Sequence, residues 1–182
     1  QPLRVNSSEA HDIKLAIDVE TQDLITRSLL EKFPEHALYG EEGVVGDQSS
    51  DYQWVVDPLD GTVNYFYGIP HFCVSIALRL KSEIMVGVIY DPVRDELWSV
   101  EKGGQPTLNG EAFRVSERAD LAEAVIAGGL CKTGEKIGAG RPLLHPLVHR
   151  DRKCGLPECA ALKLADRAVG VTARATPAAA PG

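Results

Sequence analysis

At 182 residues, with 44% apolar and 25% charged side chains, the chain holds enough apolar material for one globular core of ordinary soluble composition. A net charge of -7 argues against a nucleic-acid surface, which depends on clustered Lys and Arg. No apolar run approaches the ~20 residues that span a bilayer, and no charged start runs into an apolar stretch, so a cytoplasmic protein is expected.

Four cysteines, Cys73, Cys131, Cys154 and Cys159, are too few and too irregular for a disulfide framework and are read as reduced thiols. Cys154 and Cys159 with His145 and His149 make a loose four-ligand set. Structural zinc prefers tighter cysteine spacing, so these residues are expected to be unpaired core or surface side chains. Met85 is the only methionine, which reads as a chain trimmed at its start.

In chain order, Leu24, Ile25, Leu29, Leu30 and Phe33 recur at helical spacing between Asp23 and Pro34, predicting an amphipathic helix that Pro34 ends. A turn through Gly40, Glu41, Glu42 and Gly43 follows, then a polar stretch from Gly46 to Tyr52. The short apolar run Trp54, Val55, Val56 stops at Asp57 and Pro58. Val74, Ile76, Leu78 and Leu80 alternate with Ser75, Ala77 and Arg79, as in a strand with one buried face. Ile84 to Tyr90 reads as a nearly continuous apolar strand. Turn residues from Asp91 to Asp95 lead into a returning arm, Glu96 to Val100. Asn109-Gly110 marks another tight turn. Beyond about Gly128, glycines and prolines interrupt any long element until a further helix over Ala160 to Ala168. The Ala/Pro-rich tail 173–182 is expected to be disordered.

The chemistry concentrates where Asp57 and Asp60 flank Pro58 and Leu59 at the end of a strand, followed at once by Gly61 and Thr62. As a turn, Asp, Pro and Gly would explain themselves. As a site, a rigid strand end lets two carboxylates and the Leu59 carbonyl converge, a hard-oxygen set that selects Mg²⁺, Mn²⁺ or Ca²⁺ over zinc. Backbone N–H groups at Gly61 and Thr62 could then hold a phosphate oxyanion next to the cation. Two familiar alternatives fail on spacing: the EF-hand loop, and an aspartyl-phosphate motif with one intervening residue.

The run Trp54-Val55-Val56-Asp57-Pro58-Leu59-Asp60-Gly61-Thr62-Val63-Asn64-Tyr65 resembles the central signature of the inositol monophosphatase family. Asp12 to Asp18, Gly40-Glu41-Glu42, Gly68 to Ala77 and Gly87 to Asp91 agree with it in order and spacing, so the resemblance covers about residues 12–128. It implies an α+β fold, a layered α/β sandwich of the sugar-phosphatase type. It implies that Glu41, Asp57 and the Leu59 carbonyl hold one Mg²⁺, and that Asp57 and Asp60 hold a second. Asp60, Gly61 and Thr62 would bind phosphate. Thr62, hydrogen-bonded to Asp18, would act with Glu41 to orient and deprotonate the attacking water. The implied reaction is hydrolysis of myo-inositol monophosphate, lithium-sensitive, on a small phosphorylated polyol, without nucleic acid or membrane and with a homodimer left open. Taken singly, Glu41 and Glu42 could be solvated loop charges, Asp18 a helix N-terminal charge and Thr62 a cap.

The family's downstream Trp-Asp segment, which adds an aspartate to the second metal, has no counterpart here, and past Asp166 the sequence holds no Asp or Glu. Residues 1–128 are therefore expected to form the metal- and phosphate-binding part, and 129–182 a degenerate or truncated C-terminal part. The sister activities on fructose-1,6-bisphosphate, histidinol phosphate or nucleotide 3′-phosphates stay open, as does a non-catalytic metal- or phosphate-binding remnant.

Overall fold

The computed structural model describes residues 5–9, 12–115, 125–127, 153–155 and 159–168. The chain divides into two units, Gln1–Phe113 and Arg114–Gly182.

In the first unit, β1 (Val5–Glu9) and β2 (Asp12–Leu15) form an antiparallel pair that runs straight into α1 (Ala16–Lys32). The helix therefore starts well before Asp23, where hydrophobic spacing placed it. Its buried stripe explains the difference: Asp18 and Gln22 are the two fully buried side chains of α1, and both are polar. Only further along does the stripe turn apolar, at Ile25, Leu29 and Leu30. Leu24, predicted on that stripe, is exposed. The helix stops where expected, because Pro34 disfavours helical backbone at Phe33, which takes φ -131° and ψ 69°.

Eight strands make one mixed sheet. They are β3 (Ala37–Gly40), β4 (Gly43–Val45), β5 (Tyr52–Asp60), β6 (Cys73–Leu80), β7 (Glu83–Asp91), β8 (Glu96–Glu101), β9 (Thr107–Leu108) and β10 (Glu111–Ala112). The spatial order is β10-β9-β8-β7-β6-β5-β3-β4. From β5 to β10 the sheet is an antiparallel meander, as the alternating patterns and turn residues predict. Asn109 and Gly110, both at positive φ, make the last tight turn. The exception is β3, which lies parallel to β5 with Gly40 opposite Val56.

The core lies between α1 and the sheet. Leu38, Trp54 and Val56 are buried, and Ile25, Leu29, Leu30, Ile76 and Leu78 pack around them. Each such side chain contributes roughly 1.5–3 kcal/mol when fully removed from water. At the end of α1, the His36 ring stacks between Phe33 at 5.0 Å and Tyr52 at 4.8 Å, pinning the helix exit to the start of β5. The sequence places the end of the Trp54 run at Asp57, yet β5 continues through Pro58 and Leu59 to Asp60. Pro58 has no N–H to give, and the pairing with β6 shifts register at that point.

In the second unit, β11 (Val125–Ala127) pairs in parallel with β12 (Lys153–Gly155), and α3 (Ala160–Ala168) forms where the sequence predicts it. Cys159, Leu162 and Ala165 are buried. Cys131, His145, His149, the side chain of Cys154 and the tail 173–182 lie outside the described residues. Among the described residues, no helix is long and apolar enough to cross a membrane.

Candidate metal and phosphate site

Parallel neighbours end side by side, and that brings the first two carboxylates together. The Glu41 N–H donates to the Val56 carbonyl at 3.1 Å, extending the β3–β5 ladder one step past Gly40. Glu41 thereby arrives alongside Asp57, close enough for its negative charge to act on the Asp57 carboxyl.

Asp60 joins them through the irregularity in β5. In a regular strand, residues three apart point to opposite faces. Here Asp57 pairs with Ser75 and Asp60 with Cys73, so three steps along β5 match two along β6. The extra residue corrects the parity and puts both aspartates on one side of the ladder. Asp57 is further fixed by its own backbone, its Oδ1 accepting the Leu59 N–H at 3.1 Å.

Glu41 and Asp60 both act on Asp57, and the cost of the repulsion falls on that carboxyl. Burial, then the negative charges of Glu41 and Asp60, push the Asp57 carboxyl up from its ordinary 3.8 to about 7, against the lowering effect of the Leu59 N–H. The cluster thus retains a proton where a hard divalent cation fits, since carboxylates and a carbonyl are the donors that such cations take. Glu41, Asp57, Asp60 and the Leu59 carbonyl are donors of the type that fits a hard divalent cation on that ground.

The raised carboxyl makes the metal-free chain behave in a defined way. Its folded pKa of about 7 exceeds the unfolded 3.8, so the penalty for ionising Asp57 is fully present above pH 7. It shrinks as pH falls and vanishes below about pH 4. In EDTA, Asp57→Asn should therefore stabilise the chain near pH 8, by on the order of 1 kcal/mol once partial solvent screening is allowed for. The gain should fade towards pH 5. Thermal melts of the two chains across that range check this, and a gain that is constant with pH would remove the electrostatic account.

Next to the carboxylates the chain turns sharply into α2 (Thr62–Phe66). Gly61 caps it at φ 99°, and a Cβ there would sit 3.0 Å from the His71 carbonyl and 3.2 Å from the Phe72 Cβ. Both the backbone angle and the close approach require glycine. Asn64, buried on α2, donates to the His71 carbonyl at 2.7 Å and holds the following loop against the turn. Asn64 stands in the signature, yet nothing in its spacing marks it as the strap of this loop.

Thr62 and Asp18 occupy the neighbourhood in different bonds from those the resemblance implies. The Thr62 hydroxyl donates to the Leu59 carbonyl at 3.1 Å. Asp18 lies in the first turn of α1, 4% exposed, with its Oδ2 accepting the Leu15 N–H at 2.8 Å. That contact is the helix N-terminal role that Asp18 could fill on any protein.

The sequence profile of the inositol monophosphatase family matches residues 2–172. The chain belongs to the inositol monophosphatase family. The family match reaches well past residue 128, where the visible motifs end. Among its relatives, "Nus factor SuhB" of Pasteurella multocida is 39% identical over 128 residues, covering 70% of this chain and 48% of that protein. "Inositol-1-monophosphatase" of Mesorhizobium japonicum is 39% identical over 135 residues, covering 74% of this chain and 51% of that one. The chain spans about half the length of the curated relatives it matches. A crystal structure of extragenic suppressor protein suhB from Bartonella henselae superposes with a TM-score of 0.88 at 34% identity, over 93% of this chain and 66% of that one. The α+β sandwich is therefore the inositol monophosphatase fold.

Proposed function

We propose that this chain carries the metal- and phosphate-holding part of a phosphomonoesterase that hydrolyses myo-inositol monophosphate to inositol and phosphate with Mg²⁺ or Mn²⁺. The observation that carries the proposal is that the β3–β5 and β5–β6 pairings bring Glu41 and Asp60 to Asp57, whose carboxyl their charges help push up to about 7. Membership of the family supports the reaction class, and the relative bearing the name inositol-1-monophosphatase supports the substrate.

A bound divalent cation would supply positive charge that neutralises a phosphate dianion and makes water more acidic. Glu41, Asp57, Asp60 and the Leu59 carbonyl would hold it. The N–H groups of Gly61 and Thr62, at the turn into α2, would donate to phosphate oxygens beside Asp60. The Thr62 hydroxyl gives its proton to the Leu59 carbonyl, which leaves its lone pairs to accept a hydrogen bond from water. Glu41 would serve as the base for that water. For Asp18 to take part as the resemblance implies, the Thr62 hydroxyl must turn from Leu59 to Asp18.

A second reading is metal and phosphate binding without hydrolysis; several relatives bear the name Nus factor SuhB, which is not an enzyme's name. One titration separates the two. Phosphate release from inositol monophosphate should rise with Mg²⁺ concentration and fall at least a hundredfold in Asp57→Asn, roughly the cost of removing a group that a metal-assisted reaction depends on. Mg²⁺-dependent binding of inorganic phosphate without release would favour the second reading, and neither behaviour would remove both.

A further inference from the structure

The carboxylate cluster depends on the turn between β3 and β4. Glu41 and Glu42 link β3 to β4, and Gly43 follows at φ 143°. Gln22 supplies the anchor from α1. It is 5% exposed, and its side-chain amide makes both contacts that a backbone neighbour would make. Its Oε1 accepts the Glu42 N–H at 2.9 Å, and its Nε2 donates to the Gly43 carbonyl at 3.3 Å.

The space for this amide is the missing side chain of Gly40. A Cβ at Gly40 would lie 2.0 Å from Gln22 Oε1 and 2.8 Å from its Nε2. The pair of residues thus forms a fitted unit, one removing a side chain and the other filling the gap with a donor and an acceptor. Glu41 sits between Gly40, whose missing side chain makes room for Gln22, and Glu42, whose N–H Gln22 accepts, and its own N–H is bonded to Val56. With both flanks fixed, the backbone that carries the exposed Glu41 side chain is set beside Asp57, whose carboxyl feels its charge.

We propose that Gln22 is a positioning residue for the metal site, acting through the turn that aims Glu41. This rests on the reading of Glu41, Asp57 and Asp60 as cation ligands, and it adds a residue that touches neither cation nor phosphate. Outer residues that orient ligands typically change metal affinity by about 10–100-fold when altered.

The probe is Mn²⁺, followed by electron paramagnetic resonance of the free ion. Gln22→Met keeps the side chain's length and removes both hydrogen bonds; it should raise the Mn²⁺ half-saturation about tenfold. Gly40→Ala, which displaces the amide from the other side, should do the same, and the double variant should shift it no further. Ile25→Val, on the same helix and against the core, should lower the melting temperature and leave the half-saturation where it was. In the unaltered metal-free chain, the Glu42 amide should exchange its hydrogen more slowly than an open turn amide, a measurement that needs no variant to fold.

A Mn²⁺ half-saturation within twofold of the parent in Gln22→Met, or an unprotected Glu42 amide, would overturn the proposal while Asp57→Asn still abolishes binding. If Asp57→Asn binds Mn²⁺ as well as the parent does, the ligand reading itself fails and the role of Gln22 falls with it.

Discussion

Millimolar Mg²⁺ or Mn²⁺ should raise the melting temperature of this chain, and Asp57→Asn should remove the rise. Any ligand that binds only the folded form stabilises it by mass action, about 2.7 kcal/mol at a hundredfold excess over the dissociation constant. The donors that could produce this are split between separate stretches of chain, Glu41 after β3 and Asp57 to Asp60 on β5, so they converge only when the sheet has formed. Asp57 is the substitution of choice because it is the member that both Glu41 and Asp60 act upon. An asparagine there keeps the size and an acceptor oxygen but not the charge that a divalent cation needs. The same substitution relieves repulsion in EDTA, so parent and variant should change places: the variant melts higher without metal near pH 8, and the parent melts higher with it. Parallel melts in EDTA and in Mg²⁺ decide the matter. An equal Mg²⁺ response in both chains would place the cation elsewhere.

Leu38→Ala should cost about 3 kcal/mol, enough to lower the melting temperature by roughly 10 °C. Leu38 has no exposed surface and stands where three elements meet, packed with Trp54 and Val56 of β5 and with Ile25, Leu29 and Leu30 of α1. Removing its branched end leaves a gap that a strand bonded on both sides cannot close by moving, because β3 is held by β4 and β5. Leu24 is the control: it lies on the same helix as Ile25, is 59% exposed, and its change to Ala should stay within about 0.5 kcal/mol. Comparable losses in the two variants, read by urea unfolding, would refute the layered core.

Much of this arrangement is legible in the linear sequence. The strands β6, β7 and β8 follow from alternating apolar residues and from turn residues between them, which are local signals. The carboxylates at 57 and 60 follow from the density of Asp, Pro and Gly, and the family signature assigns them a purpose. What escapes is long-range. No periodicity announces that β3 lies parallel to β5, although Glu41 meets Asp57 only because it does. Residues three apart on a strand read as facing apart, and only the pairing with β6 reveals that Asp57 and Asp60 share a side. The first two turns of α1 are invisible to a hydrophobic pattern because the side chains buried there are Asp18 and Gln22. Polar burial of that kind is costly without a partner, so its appearance in a helix marks the end that meets the site.

The sheet narrows towards both rims. Its nine-, eight- and nine-residue strands, β5, β6 and β7, lie inside, while the outermost strands among the described residues are β4, with three residues, and β10, with two. An unpaired strand rim is an invitation to foreign backbone, and long flat rims recruit other chains into a shared ladder. Rims this short give an incoming strand little to grip. The long apolar strands that could template an aggregate have both flanks already occupied, so crowded copies of this unit are disfavoured from joining edge to edge.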